Sequence, residues 1–232
     1  MLRADNLSVA YGNLRALDDV NLEISAQGTL HGIIGPNGAG KSTLMDALTG
    51  RRMPTLGRVL LGGEDITHRT PRWRRLRGIS RSFQRTSIFP SHTVRAQLEL
   101  VASQLCEDDL AAIVSALDLE EVYDRVAETI SYGDQRRIDV ALAMIGNPRV
   151  ILLDEPAAGL STGETTRLFE HLRVLVKQRG VTALVVEHDV DAVFGFCDLV
   201  TALDLGRVLI TGAAAQVRSD PRVVSAYLGT AA

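Results

Sequence analysis

The chain has very little cysteine and lysine, no long apolar run, and no large excess of charge of either sign. Its two cysteines, Cys106 and Cys197, sit in apolar sequence settings without metal-ligand spacing. That excludes a disulfide framework and a zinc staple, and reads as free thiols in a reducing compartment. A chain of 232 residues buries roughly 70% of its unfolded surface and needs neither device. Among 25 basic residues only Lys41 and Lys177 are lysine, a bias we read as compositional. The formal net charge of −3 removes any overall attraction to nucleic acid or anionic lipid. No apolar run reaches the roughly 18 residues of a membrane span. The opening MLRADNLSVAYG also lacks a signal-peptide core, so the chain reads as neither secreted nor membrane-spanning. Low-complexity stretches and internal repeats are missing. With 46% hydrophobic and 23% charged residues, the composition is globular rather than disordered.

What is present is an α/β pattern interrupted by a helical stretch. Residues 5 to 34 alternate short apolar runs with turn signals at Gly12, Asp18-Asp19 and Gly28, and predict β-structure. The last of these runs leads directly into a glycine-rich loop, after which Leu44 and Leu48 take helical spacing until Gly50. Residues 57 to 66 predict a hairpin turning at Gly62-Gly63, and an arginine-rich patch follows. From Thr93 to about Thr129 the pattern is helical, and a further helix is expected from Gly133 to Ile145, ended by Asn147-Pro148. The runs Val150 to Leu153, Thr182 to Val186 and Leu199 to Leu203 are wholly apolar, as in a sheet buried on both faces. A helix over about Gly163 to Arg179 separates the first two, giving the rhythm of a parallel sheet. The expected organisation is one domain: an α/β core of residues 1–85 and 149–232, with a helical insert over 86–148.

Three places carry chemistry. Gly35-Pro36-Asn37-Gly38-Ala39-Gly40-Lys41-Ser42-Thr43 fits the phosphate-binding pattern G-x-x-x-x-G-K-[ST] in full. Its glycines let successive backbone N–H groups face phosphates, the following helix adds its positive end, and Lys41 supplies a mobile charge. The Ser42 hydroxyl would ligate Mg²⁺. The apolar strand Val150 to Leu153 ends in Asp154-Glu155, where Asp154 would hold Mg²⁺ through water and Glu155 would polarise an attacking water. His188 follows another buried strand and is either structural or aimed at a γ-phosphate. Gln84, in Ser82-Phe83-Gln84-Arg85, is by itself a surface amide, and Ser131 with Asp134 is by itself a helix cap.

Together these residues resemble the ATP-binding subunits of ABC transporters. The likeness runs from Leu2 to Gly229 through the phosphate loop, the glutamine at Gln84, the signature at 130–134, the acid-tipped strand and His188. Within that family the chain is most similar to the ATPases of branched-chain amino acid importers and their amide and urea relatives. The cues are Arg81-Ser82-Phe83-Gln84, Ser131-Tyr132-Gly133 with its double arginine, and Leu153 to Leu160. Val186-Glu187-His188-Asp189 and the ending Asp220-Pro221 to Gly229 add to them.

The resemblance implies a P-loop NTPase core with a mainly parallel sheet, an antiparallel β subdomain at the N-terminus and an inserted helical subdomain. It implies ATP hydrolysis with Mg²⁺ held by Ser42, Gln84 and Asp154, and hydrolytic roles for Glu155, His188 and Gln84. Tyr11 matches an adenine-stacking aromatic, unless it is an ordinary strand-edge tyrosine. The resemblance further implies a second ATPase subunit, identical or paralogous, whose ATP Ser131 and Gly133 would contact. Membrane permeases, indirectly a solute-binding protein, and a place on the inner face of the cell membrane complete it. Ile88 and Phe89, before Pro90, line either the permease groove or the core.

The chain also departs from the family pattern. Asp134 stands where glutamine is usual, Leu142 where an arginine is usual, and Ser161 where Asp or Asn is usual. The helical insert is short for the branched-chain subgroup. Rival readings are a lipid or polysaccharide exporter ATPase and a soluble ABC ATPase acting on nucleic acid or ribosomes. The patch Arg72, Trp73, Arg74, Arg75, Arg77, Arg81 and Arg85 would serve the nucleic-acid reading. A solvated face or lipid-headgroup contact is the simpler account, and the net charge and lack of a recognised nucleic-acid motif argue against nucleic acid.

Overall fold

The computed structural model describes residues 1–24, 27–82 and 87–228. Strands β1 (Leu2–Tyr11) and β2 (Leu14–Ile24) form an antiparallel pair, and β3 (Leu30–Ile34) leads into the glycine-rich loop and α1 (Lys41–Thr49). Then come β4 (Leu56–Leu61), β5 (Glu64–Asp65), α2 (Pro71–Leu76) and β6 (Ile79–Arg81). The helical stretch holds α3 (Val94–Leu105), α4 (Leu110–Ala116), two 3₁₀ turns at 120–122 and 127–129, and α5 (Tyr132–Met144). The remainder alternates β7 (Val150–Asp154), α6 (Thr162–Arg179), β8 (Thr182–Val186), α7 (Val190–Phe196) and β9 (Leu199–Asp204). The strand β10 (Arg207–Ala213) and the short helices α8 (Ala214–Arg218) and α9 (Pro221–Val223) follow. Among the described residues no helix is long and apolar enough to cross a membrane.

A six-stranded sheet in the order β10-β9-β3-β8-β7-β6 is parallel except for the β9–β10 hairpin, and an antiparallel sheet runs β2-β1-β4-β5. Alternation along the central strands divides the interior in two. Leu30, Ile34, Ile151, Leu153, Ala183 and Val185 face a core shared with α3 to α7. Ile33, Val150, Leu152, Leu184 and Val186 face a second core shared with α1 and the antiparallel sheet. The nearly continuous apolar sequence of β7 and β8 therefore serves two layers at once. The carboxyl ends of β3, β6, β7 and β8 all lie at one edge of the sheet.

Three expectations need correction. The helical pattern over 93–129 is not one helix. Cys106 adopts a left-handed conformation that ends α3, Asp109 caps α4, and Asp118 turns left-handed after it. Cys106 is also exposed rather than set in apolar surroundings, whereas Cys197 is buried. The arginine patch is not one solvated face. Thr70 caps α2 by accepting from the Trp73 N–H, Pro71 takes the first helical position, and Arg74 is turned into the interior.

Candidate functional site

The phosphate loop folds as it does because its backbone has almost no room. Gly40 has φ of 101°, and a Cβ there would lie 2.5 Å from the Ala16 carbonyl oxygen. Only glycine tolerates both conditions. α1 begins at the next residue, so its unpaired N–H groups open onto the loop. The Lys41 ammonium is folded back within the loop, donating to the Gly35 carbonyl at 2.5 Å and the Pro36 carbonyl at 3.0 Å. Burial lowers its pKa, and the negative charges of Glu155 and Asp154 partly restore it.

A cavity of about 330 Å³ opens above the loop, lined by Tyr11, Leu14, Ala16, Asn37, Gly38, Ala39, Gly40, Lys41, Ser42, Thr43, Glu155 and His188. The structure thus gathers Tyr11, most of the loop, Glu155 and His188 from four separate segments around one space. Gly35 and Pro36 stand behind it as the acceptors for Lys41. The Tyr11 ring is exposed, with the Arg52 guanidinium 4.0 Å from its centroid on one face. Glu155 is left-handed at φ 51°, a conformation that non-glycine residues adopt sparingly. Its Oε1 lies 2.8 Å from His188 Nε2, a hydrogen bond in which the imidazole donates.

Asp154 ends β7, is buried, and pairs with Arg81 Nη2 at 2.8 Å, while Arg81 Nη1 reaches Asp46 at 2.5 Å. Arg81 is a residue that sequence reasoning misplaced on the surface. Only the strand register, which sets Arg81 opposite Leu152 of β7, brings it to Asp154. Gln84 and Arg85 lie outside the described residues. Ile88 and Phe89 divide, the first packing on the core and the second being exposed.

Ser131 and Gly133 do not line this cavity. They border another, of about 720 Å³, between α5, α6 and residues 118–125. Ser131 caps α5, accepting from the Asp134 N–H at 3.1 Å and donating its hydroxyl proton to the Asp134 carboxylate at 2.7 Å. Asp134 is also ion-paired with Arg137, which donates to the carbonyls of Leu117 and Asp118 at 2.9 Å each. A Cβ on Gly133 would lie 2.9 Å from Glu164 Oε1, so this turn tolerates no larger residue without a shift. Ser161 completes a capping box with Glu164 at the start of α6, and Leu142 packs half-buried on the core.

A phosphate loop after a central parallel strand, with an acid-tipped strand one place beyond its neighbour in the same sheet, defines a P-loop nucleoside triphosphatase. The family description for ABC transporters matches residues 17–158, and that for the branched-chain amino acid ATP-binding cassette transporter matches residues 207–232. The chain is 33% identical over 252 residues to the high-affinity branched-chain amino acid transport ATP-binding protein LivG of Escherichia coli, covering 100% of this chain and 98% of that one. It superposes with a TM-score of 0.87 on the ADP conformation of an ATP-binding cassette of an ABC transporter, 31% identical, over 99% of this chain and 98% of that one. A dimeric bacterial ABC transporter cassette, 26% identical, matches with a TM-score of 0.78 over 92% of this chain and 99% of that one. The chain belongs to the ABC transporter family, and it is an ATPase of that family.

Proposed function

We propose that this chain is the ATP-hydrolysing subunit of an importer for branched-chain amino acids, or for a related small polar solute such as urea or an amide. It would work at the inner face of the cell membrane with a second ATPase subunit, membrane permeases and, through them, a solute-binding protein. The observation that carries the reading is full-length similarity to the LivG protein together with the separate match of residues 207–232. Within the chain, residues 1–85 and 149–232 would act as the nucleotide core and 86–148 as the helical subdomain.

The loop N–H groups and Lys41 would hold the phosphates, and Lys41 would exchange its two carbonyl partners for phosphate oxygens. Tyr11 would stack on adenine with the face that Arg52 leaves open. Glu155 would accept the proton of the attacking water, and His188 would hold that carboxylate in place from 2.8 Å. Gln84 would complete the catalytic group. Ser131 and Gly133 open onto a different cavity, which fits a role toward the ATP of the second subunit.

The donors available for a cation are all oxygen: the Ser42 hydroxyl at the start of α1, the Asp154 carboxylate and the Gln84 amide. That chemistry suits a hard ion such as Mg²⁺, which would neutralise phosphate charge when bound. Arg81 now balances Asp154.

Reconstitution of the chain with permeases and a solute-binding protein in vesicles tests the reading, with labelled leucine and labelled urea as cargo. ATP-driven uptake is expected for one of them, and Lys41→Ala should abolish both ATP binding and uptake. Efflux instead of uptake would contradict the importer role. Near-normal hydrolysis by Lys41→Ala would contradict the phosphate-loop assignment.

A further inference from the structure

Glu187, the first residue beyond β8, is a buried carboxylate, 3% exposed, that none of the roles above uses. Its Oε1 accepts from the Ala157 N–H at 2.6 Å, and its Oε2 accepts from the N–H of His188 at 3.2 Å. Those two N–H groups belong to the two segments that carry Glu155 and His188. The Glu155 N–H in turn donates to the Val186 carbonyl at 2.8 Å, and the Ala158 N–H to the Glu155 carbonyl at 3.1 Å. The contacts close a ring. It runs from the Glu155 carboxylate to the His188 imidazole, along the His188 backbone to the Glu187 carboxylate, and back through Ala157 to Glu155.

A buried carboxylate is a poor choice for packing alone, because an apolar residue of similar volume avoids the desolvation cost. Burial raises the pKa of Glu187, while the backbone N–H groups of Ala157 and His188 oppose the rise. A carboxylate supplies what an apolar residue lacks, two acceptors on one rigid plane aimed at two different loops. The left-handed turn at Glu155 is a strained conformation that persists only where its surroundings over-determine it. The Ala157 contact, two residues along, is one such constraint.

We propose that Glu187 is a positioning residue for hydrolysis, fixing Glu155 and His188 relative to each other by holding the turn after Glu155 and the backbone of His188 on one carboxylate. The proposal rests on the reading of Glu155 and His188 as the hydrolytic pair. Small displacements at such a pair cost rate rather than nucleotide affinity, since about 1 Å of misplacement lowers rates by about 100-fold.

The test uses the full chain as Glu187→Ala, Glu187→Gln, His188→Ala and the Glu187→Ala/His188→Ala double variant. It measures kcat and KM with Mg-ATP, the affinity for a fluorescent ATP analogue, and hydrogen exchange at the Ala157 amide. Glu187→Ala should lower kcat at least tenfold and speed exchange at Ala157, with KM and analogue affinity within twofold of the parent. Glu187→Gln keeps one acceptor and should recover part of the loss; if the alanine variant does not fold, this variant carries the test, with a kcat loss of at least threefold at unchanged affinity. In the double variant, Glu187→Ala should remove less than threefold beyond His188→Ala. Parent-like kcat in the folded Glu187 variants, affinity falling in step with kcat, or losses that multiply would overturn the positioning role. Parent-like turnover in His188→Ala would instead overturn the hydrolytic pair, and the proposal with it.

Discussion

Arg74 carries a full charge into the interior and places its donors on five backbone carbonyls, those of Ala47, Leu48, Ile66, Thr67 and Arg69. Two of these end α1, whose last carbonyls lack helical partners. Burial pulls the Arg74 pKa down to about 10, so the guanidinium remains protonated at neutral pH. Nothing in the residue type distinguishes it from Arg72 or Arg77, which are exposed, and the grouping of all of them as a surface patch fails for that reason. The gathering of Ser42, Lys41 and Glu155 around one cavity was legible because motif spacing carries it. Arg74 and Arg81 become legible only when the elements that surround them are placed. Arg74→Met should destabilise the fold by about 3 kcal/mol, because several buried carbonyls lose their donor at about 1–3 kcal/mol each and only partly recover water. Chemical denaturation should register the loss, and a change below about 1 kcal/mol would mean that water replaces the guanidinium freely.

Two buried groups tie elements together in ways that make stability depend on acid. Glu107, with its side chain 1% exposed, accepts from Arg179 at the end of α6 and from the Gly146 N–H just beyond α5. The Arg179 contact holds its pKa at about 2, below the ordinary 4.5. His31 in β3 is buried against Thr201 in β9, and burial lowers its pKa from 6.5 to about 4. Both shifts are depressions, so the unfolded chain binds more protons and stability falls as pH falls. For His31 the loss runs from about pH 6.5 to 4, and for Glu107 from about 4.5 to 2. Each is roughly 3 kcal/mol by linkage. His31→Gln should flatten the upper window alone and Glu107→Gln the lower one alone, read from unfolding free energy against pH. Slopes unchanged by either variant would contradict the assignment.

The strands β7, β8 and β9 were plain from their apolar runs, as were the cap at Ser131 and the turn at Gly50, whereas β6, lying within the arginine-rich stretch, and β10 were not among the expected strands. The helix α2 was hidden among arginines although Thr70-Pro71 announced its start. The break between α3 and α4 was hidden because a left-handed Cys106 has no sequence signature comparable to glycine.

For the whole molecule, the phosphate loop and the signature turn open onto separate cavities, so under the proposed role of Ser131 and Gly133 toward the second subunit's ATP, two chains would share each nucleotide. Asp134 then sits where it opposes that union. Its carboxylate accepts a hydrogen bond from the Ser131 hydroxyl and is ion-paired with Arg137. Without Arg137, one carboxylate facing one phosphate charge at roughly 9 Å and an effective dielectric near 40 would cost about 0.9 kcal/mol. With Arg137 in place the pair is near neutral, so Asp134→Gln acts by freeing the Arg137 charge and the Ser131 hydroxyl toward phosphate, at the loss of about 0.3–1 kcal/mol of helix-terminus stabilisation. It should lower monomer stability slightly and strengthen ATP-driven dimerisation several-fold, by a margin that shrinks with added salt. Sedimentation with ATP at two salt concentrations in the Glu155→Gln background checks this. An unchanged affinity, or a gain indifferent to salt, would leave Asp134 as a cap only.

On the proposed reading, ATP bound above Lys41 is hydrolysed by water that Glu155 activates. The most direct test of that reading is Glu155→Gln, which keeps the shape of the side chain and removes the base. ATP affinity should stay within about threefold of the parent while turnover falls by about 10²–10⁴-fold, and light scattering should show a dimer accumulating with Mg-ATP. Turnover reduced less than about tenfold would place the base elsewhere and contradict the account.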